Sequence, residues 1–282
     1  MGQDSKIEWT HHTFNPWWGC LKVSPACKHC YAESWAVRLG LELWGGSRSE
    51  RRFFSDAHWK EPLKWNAAAA RDGVRRRVFC ASMADVFEDR EDLVPWRQRL
   101  WPLIEQTPSL DWLLLTKRPQ NVAGFVPWGK KWPGNVWLGT TIENQEYANL
   151  NVPLIADLPA AVRFVSCEPL LGGISLRKWL RPTEKGRGIN WVIAGGESGP
   201  HSRPTNPVWV EDLRDQCLRA GVAFHFKQWG HWGPESAADR RAVMTVDLPG
   251  RSGRKVRLFR LGKKETGRLL DGRTWDGLPL VT

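Results

Sequence analysis

The stretch "GCLKVSPACKHCYAESW", residues 19–35, carries three cysteines in the pattern Cys20-x6-Cys27-x2-Cys30. Three thiols are too many for one disulfide and one short of a complete four-thiolate zinc or iron–sulfur site. Two uses remain open. A four-iron cluster on three thiolates leaves one iron free for a cofactor or substrate, as a catalytic zinc keeps an open position. A structural zinc with His11, His12 or His29 as fourth ligand is the rival.

Further residues able to do chemistry end a series of short apolar runs. Ser82 and Asp85 follow "RRVFCAS", and Thr116, Lys117 and Arg118 close "DWLLLTKR". Thr140, Thr141, Glu143 and Asn144 close "NVWLGTTIEN", and Cys167 and Glu168 close "VRFVSCE". Gly195, Gly196, Glu197 and Ser198 close "NWVIAGGES", and Lys227 and Gln228 close "VAFHFKQ". In β/α barrels the C-terminal ends of the strands converge on one mouth, where the chemistry sits. Two adjacent glycines let backbone approach a ligand closely, and Glu197 beside them can accept from an ammonium group or hydroxyls. The bland reading of the same string is a tight strand-to-loop turn.

The elements that must position these groups follow from the runs themselves. Those at 76–82, 111–117, 135–141, 162–168, 190–197 and 222–228 are continuous and apolar, as strands buried on both faces are. They recur at the spacing of βα units. Helical patterns lie between them, at 92–107 and at 206–221, the latter with Asn206 as N-cap, Pro207 in the first turn and Gly221 as stop. The fold class is therefore α/β. The expected architecture is a partial or full β/α (TIM-like) barrel of six to seven strands, the seventh near "EWTHHTF", with a doubly wound sheet as the alternative. Residues 1–231 are assigned to the barrel. Residues 232–282, rich in Gly, Arg and Lys, are assigned to a small basic C-terminal appendage packed on it.

Composition limits the partners. The net charge of +11 favours an anionic partner, most often DNA or RNA, and Arg254, Lys255, Arg257 and Arg260 form its densest stretch. The 19 Trp against 2 Tyr serve core packing first and base stacking second. No apolar run approaches the length of a membrane span and no signal-peptide layout opens the chain, so a cytoplasmic protein with reduced thiols is expected. Of the other cysteines, Cys80 and Cys217 read as core packing. Cys167 differs from them in lying at a strand's C-terminal end beside Glu168.

Taken together, "EWTHHTFNPWWGC", "CKHCYA", "SMADVFED", "LLLTKRP", "WLGTTIENQ", "FVSCEPLLG", "WVIAGGESGP", "FKQWG" and "LLDGRTWDG" resemble the phage Gp37/Gp68, or three-Cys-motif, family, which is radical S-adenosylmethionine (SAM)-like. The resemblance runs nearly end to end. It implies a partial β/α barrel with a [4Fe-4S] cluster on Cys20, Cys27 and Cys30, SAM on the open iron, an electron-donor protein, and hydrogen abstraction by a 5′-deoxyadenosyl radical. Two features depart from the radical SAM pattern. The first cysteine gap is six rather than three, and the glycine-glycine-glutamate string follows the sixth run rather than the second. Ser82 and Asp85, at the second position, thus become candidates for the methionine end of SAM. Lys117, Glu143, Gly195 and Gly196 join the cofactor-binding set, Glu197 is placed at ribose or substrate, and Cys167 becomes a candidate catalytic hydrogen-atom donor that quenches a substrate radical. The implied activity is base modification or repair on a nucleic acid or nucleotide. Its rivals are a non-catalytic nucleic-acid-binding protein with zinc or a structural cluster, and a radical enzyme for a small metabolite.

Overall fold

Every long apolar run of the sequence is a strand in the computed structural model, which describes residues 2–46, 48–181, 188–234, 243–247 and 255–280. Seven parallel strands form one sheet in chain order: β1 (His12–Phe14), β4 (Arg76–Cys80), β5 (Leu110–Thr116), β6 (Val136–Thr141), β7 (Val162–Cys167), β8 (Trp191–Gly195) and β9 (Ala223–Gln228). β1 and β9 are its two edges, so this is a partial β/α barrel rather than a closed one. Its strands read as unbroken apolar runs because both faces are covered: every residue of β6, β7 and β8 is buried.

The chain groups into two compact units, residues 1–140 with 157–163, and residues 141–156 with 164–280. The first holds the β1–β4–β5 ladder, in which Phe14 pairs with Cys80 and Cys80 with Leu114. It also holds the small antiparallel pair β2 (Trp17–Trp18) and β3 (Arg52–Phe53), and helices α1 (Tyr31–Arg38), α2 (Asp56–Trp59), α3 (Glu61–Asp72), α4 (Val94–Glu105) and α5 (Val122–Phe125). α4 occupies the expected 92–107 segment, entered through a 3-10 turn at Glu91–Leu93.

The second unit holds α6 (Gln145–Ala156), the β7–β8–β9 ladder and α7 (Pro207–Ala220), which lies against β8 and β9. α7 has the ends its sequence specifies. The Asn206 side chain accepts from the Val208 amide, and Gly221 adopts the left-handed conformation. The C-terminal segment builds an antiparallel sheet of β10 (Trp232–Gly233), β12 (Lys255–Arg260) and β11 (Val243–Asp247), with α8 (Lys263–Thr266) after it. Residues 275–277 then run along β9: the Phe226 amide donates to the Trp275 carbonyl and the Gly277 amide to that of Phe224. The exposed edge of the sheet is thereby covered. Among the described residues no helix is long and apolar enough to cross a membrane.

Candidate functional site

Cys20, Cys27 and Cys30 lie on the chain between β2 and α1, beyond the C-terminal end of β1. None is disulfide-bonded and each is partly exposed. Cys27 ends a 3-10 turn, with the Ser24 hydroxyl 3.8 Å from its sulfur. Cys30 is the N-cap residue of α1 and packs on a cluster of Ala32, Ala36 and Met83. Burial raises its thiol, and the first-turn amides of Glu33 and Ala32 pull the other way. Cys20 is pushed up to about 12, by burial first and Asp85 second, while Arg118 opposes. Its sulfur faces the Leu21 carbonyl at 3.4 Å and the Arg118 Nη1 at 3.6 Å.

Behind the loop stands a polar scaffold. Asn15, directly after β1, donates to the Ser82 hydroxyl (3.1 Å) and accepts from the Met83 amide (2.7 Å). The Tyr31 hydroxyl donates to the Ser82 carbonyl at 2.6 Å, which ties the start of α1 to the end of β4. Asp85 is buried and engaged on both oxygens. Oδ1 accepts from Thr116 Oγ1 (2.7 Å) and the Phe87 amide (3.0 Å). Oδ2 accepts from the Lys117 amide (3.0 Å) and Arg118 Nη1 (2.9 Å). One carboxylate thus sets the geometry of the whole Thr116-Lys117-Arg118 turn. Glu88 in turn takes both arms of the fully buried Arg51, whose other donors hold the carbonyls of Leu43, Gly45 and Glu50. That loop reaches the cysteines, because the Gly45 amide donates to the Cys20 carbonyl.

The Lys117 ammonium is influenced by all three cysteines and by Asp85. Burial works to lower it, and Cys27, Cys30, Asp85 and Cys20 together prevail and raise it. Among the described residues, no three Cys, His, Asp or Glu side chains stand close enough to hold a metal ion as they are. A single zinc needs its thiolates about 4 Å from one another, whereas a cluster takes each on a different iron. Three free thiols on one short segment are donors of the type that either group takes. Of the proposed zinc partners, His11 and His12 sit at the opposite, N-terminal end of β1, where His11 accepts from the Arg77 amide and His12 stacks on Trp65, while His29 lies on the cysteine segment itself.

The remaining candidates belong to the second unit. Glu197 is buried and held by Arg203, which donates from its amide (2.7 Å), Nε (2.8 Å) and Nη2 (2.5 Å). Glu168 accepts from Lys227 on both oxygens, at 2.8 and 2.9 Å, and from Gln228 at 3.4 Å. Glu143 is buried, and its carbonyl accepts from the Leu171 amide. Gly195 faces the Glu168 side chain, and Gly196 is pressed against the Trp229 carbonyl. Cys167 has no exposed surface. Burial raises its thiol well above the ordinary value and Cys217 of α7, also fully buried, adds to the rise. Cys80 and Cys217 are buried as expected.

Arg254 lies outside the described residues. On β12, Lys255 and Arg257 are exposed, Arg257 lies over the Phe259 ring, and Arg260 donates to the Pro200 carbonyl. The tryptophans mostly serve the core, and Trp35 on α1 stands out as widely exposed. The residues that the sequence reading passed over are Asn15, Tyr31, Arg51 and Glu88. Their one signal is proximity in sequence to the ends of β1, β4 and the cysteine run.

A family model described as "Protein of unknown function (DUF5131)" matches residues 4–279. The comparison with curated proteins found no match. Solved structures of spore photoproduct lyase are similar in fold. One, complexed with dinucleoside spore photoproduct, gives a TM-score of 0.47 at 14% identity. Another, a double mutant with bound AdoMet and dinucleoside spore photoproduct, gives 0.44 at 14%. Each alignment covers 92% of this chain and 71% of the other.

Proposed function

The chain belongs to the DUF5131 family, and we propose that it is an iron–sulfur enzyme of the radical SAM kind that acts on a nucleic acid or nucleotide, in base modification or repair. The observation that carries this reading is that three free thiols, Cys20, Cys27 and Cys30, stand on one short segment beyond the C-terminal end of β1. The end-to-end resemblance to the three-Cys-motif family supports it, as does the partial β/α barrel with the cysteines beyond a strand's C-terminal end. In this reading the three thiolates hold a [4Fe-4S] cluster. When bound, cluster and SAM supply reductive cleavage of SAM and hydrogen abstraction from the substrate.

The chain's own residues then divide the work. Lys117 offers a half-buried cation for the carboxylate of the cofactor's methionine end. Asp85 has both oxygens occupied and orients the Lys117 turn. Ser82 is placed beside the cysteine loop by Asn15 and Tyr31. Glu143, Gly195, Gly196 and Glu197 remain candidates for the adenosine or substrate end, and the basic C-terminal segment for the phosphates of the partner. The electron comes from a donor protein of the cytoplasm.

Anaerobic reconstitution with iron and sulfide tests the reading. The wild type gains iron, sulfide and broad visible absorbance, and Cys20→Ala, Cys27→Ala or Cys30→Ala loses them. SAM binding to the loaded protein weakens about tenfold to a hundredfold in Lys117→Met, the worth of one hydrogen bond to a charged group. Stoichiometric zinc with no iron overturns the assignment.

A further inference from the structure

We propose that Arg118 is a positioning residue that pins the Cys20 loop and, by donating to the Cys20 sulfur, sets the reduction potential of the cluster held there. The inference rests on the cluster reading above and adds to it a control on that site.

The geometry is specific. Arg118 follows β5, and its amide is held by the Thr116 hydroxyl at 2.8 Å, which turns the side chain back across the end of the strand. The side chain is buried, and its guanidinium makes three contacts at once. Nη1 meets Asp85 Oδ2 at 2.9 Å and the Cys20 sulfur at 3.6 Å, and Nη2 meets the Leu21 carbonyl at 2.7 Å. A planar fork with fixed directions can hold a carboxylate, a sulfur and a carbonyl together, whereas a lysine ammonium is a point charge on a flexible stem.

A buried guanidinium is costly unless it is paired, and Asp85 pairs it with side-chain exposures of 7% and 6%. Asp85 is itself braced by Thr116 and two amides, so the fork cannot swing away from the loop. The result is a fixed donor aimed at one of the three thiols. Cys27 has a neutral hydroxyl nearby instead, and Cys30 the first turn of α1. Hydrogen bonds to ligand sulfurs stabilise the more negative, reduced form of an iron–sulfur cluster and raise its potential. Losing this donor makes the cluster harder to reduce.

The test uses the full chain, Arg118→Gln and Arg118→Lys, with two readouts. In protein without iron, amide hydrogen exchange over the segment at Cys20 and Leu21, followed by peptide mass spectrometry, becomes several-fold faster in Arg118→Gln as the loop is released. In reconstituted protein, titration against low-potential dyes shows the Arg118→Gln cluster about tenfold less reduced at a fixed potential, equal to a midpoint about 59 mV more negative for one electron. Arg118→Lys falls between, and it carries the test if the glutamine variant does not fold. Loaded clusters with unchanged midpoint potentials overturn the proposal even where exchange is faster, because Arg118 is then only a staple. A wild type that takes up no iron overturns the cluster reading and this proposal with it, and iron uptake alone tells the two failures apart.

Discussion

A Cβ on Gly196 would lie 1.9 Å from the Trp229 carbonyl oxygen, and one on Gly230 2.2 Å from the Glu197 carbonyl oxygen. The two chains cross so closely that neither position admits a side chain. Gly196→Ala therefore forces the crossing apart, and the expected loss of stability is about 3 kcal/mol or more. Urea denaturation checks this, and an unchanged midpoint would mean that the crossing yields freely. The glycine pair of "IAGGESG" was legible as a place of close backbone approach, but what approaches is Trp229, some thirty residues on, which no local pattern announces. Glu197 teaches the same lesson. Its carboxylate was visible as a strand-end group, whereas its partner Arg203 lies in a loop with no periodicity. The cysteines were easier, because thiol spacing within one short segment carries its own meaning. The arginines that frame them, Arg51 and Arg118, depend on folding to bring distant carboxylates to them.

The buried strands could be bounded to within about two residues, since double-sided burial writes itself as a continuous apolar run. β1 could be placed only loosely, because its three residues include a histidine and a threonine. β2 and β3, two residues each, leave no pattern at all. The terminal segment along β9 was equally hidden, because backbone hydrogen bonds hold it rather than an apolar face. It carries a titratable contact: Asp276 stands 3.7 Å from His225 Nδ1, and neither ring nitrogen of this buried histidine makes a hydrogen bond. Its pKa falls to about 4, first through burial and then through Arg268. The unfolded chain protonates near 6.5, so His225 does not weaken the fold above that pH. As the pH drops from 6.5 towards 4 the unfolded state binds a proton that the folded state refuses, and stability is lost. The loss by pH 4.5 is about 2–3 kcal/mol. Denaturation at pH 7 and pH 4.5 should show a loss that is smaller by about 2–3 kcal/mol in His225→Gln, the remainder belonging to groups such as His12, whose pKa also falls to about 4. Equal losses in both would assign the acid sensitivity to other groups.

At the scale of the whole molecule, a net charge of +11 is a statement about association rather than fold. A charge of that size attracts any polyanion, so the useful question is which cations meet the phosphates. Strand alternation divides the basic stretch. Lys255 and Arg257 share the face of Phe259 and are exposed, while Leu258 on the other face is fully buried. Arg260 shares the face of Leu258 by alternation but is itself exposed, and its side chain is tied to the Pro200 carbonyl, which makes it first a brace. Counterion release gives the test. Each phosphate contact removed should flatten the slope of log K against log salt by about 0.9 for duplex DNA. Replacing Lys255 and Arg257 by Gln should therefore lower the slope by up to about 2 without moving the denaturation midpoint, because both lie on the solvent side. Adding Arg260→Gln should cost stability while changing the slope little further. Fluorescence anisotropy with a labelled oligonucleotide across a salt series, paired with urea denaturation of the same variants, separates the two effects. A slope untouched by Lys255 and Arg257, or no binding at low salt, would move the partner away from this strand and leave the charge as a property of the surface alone.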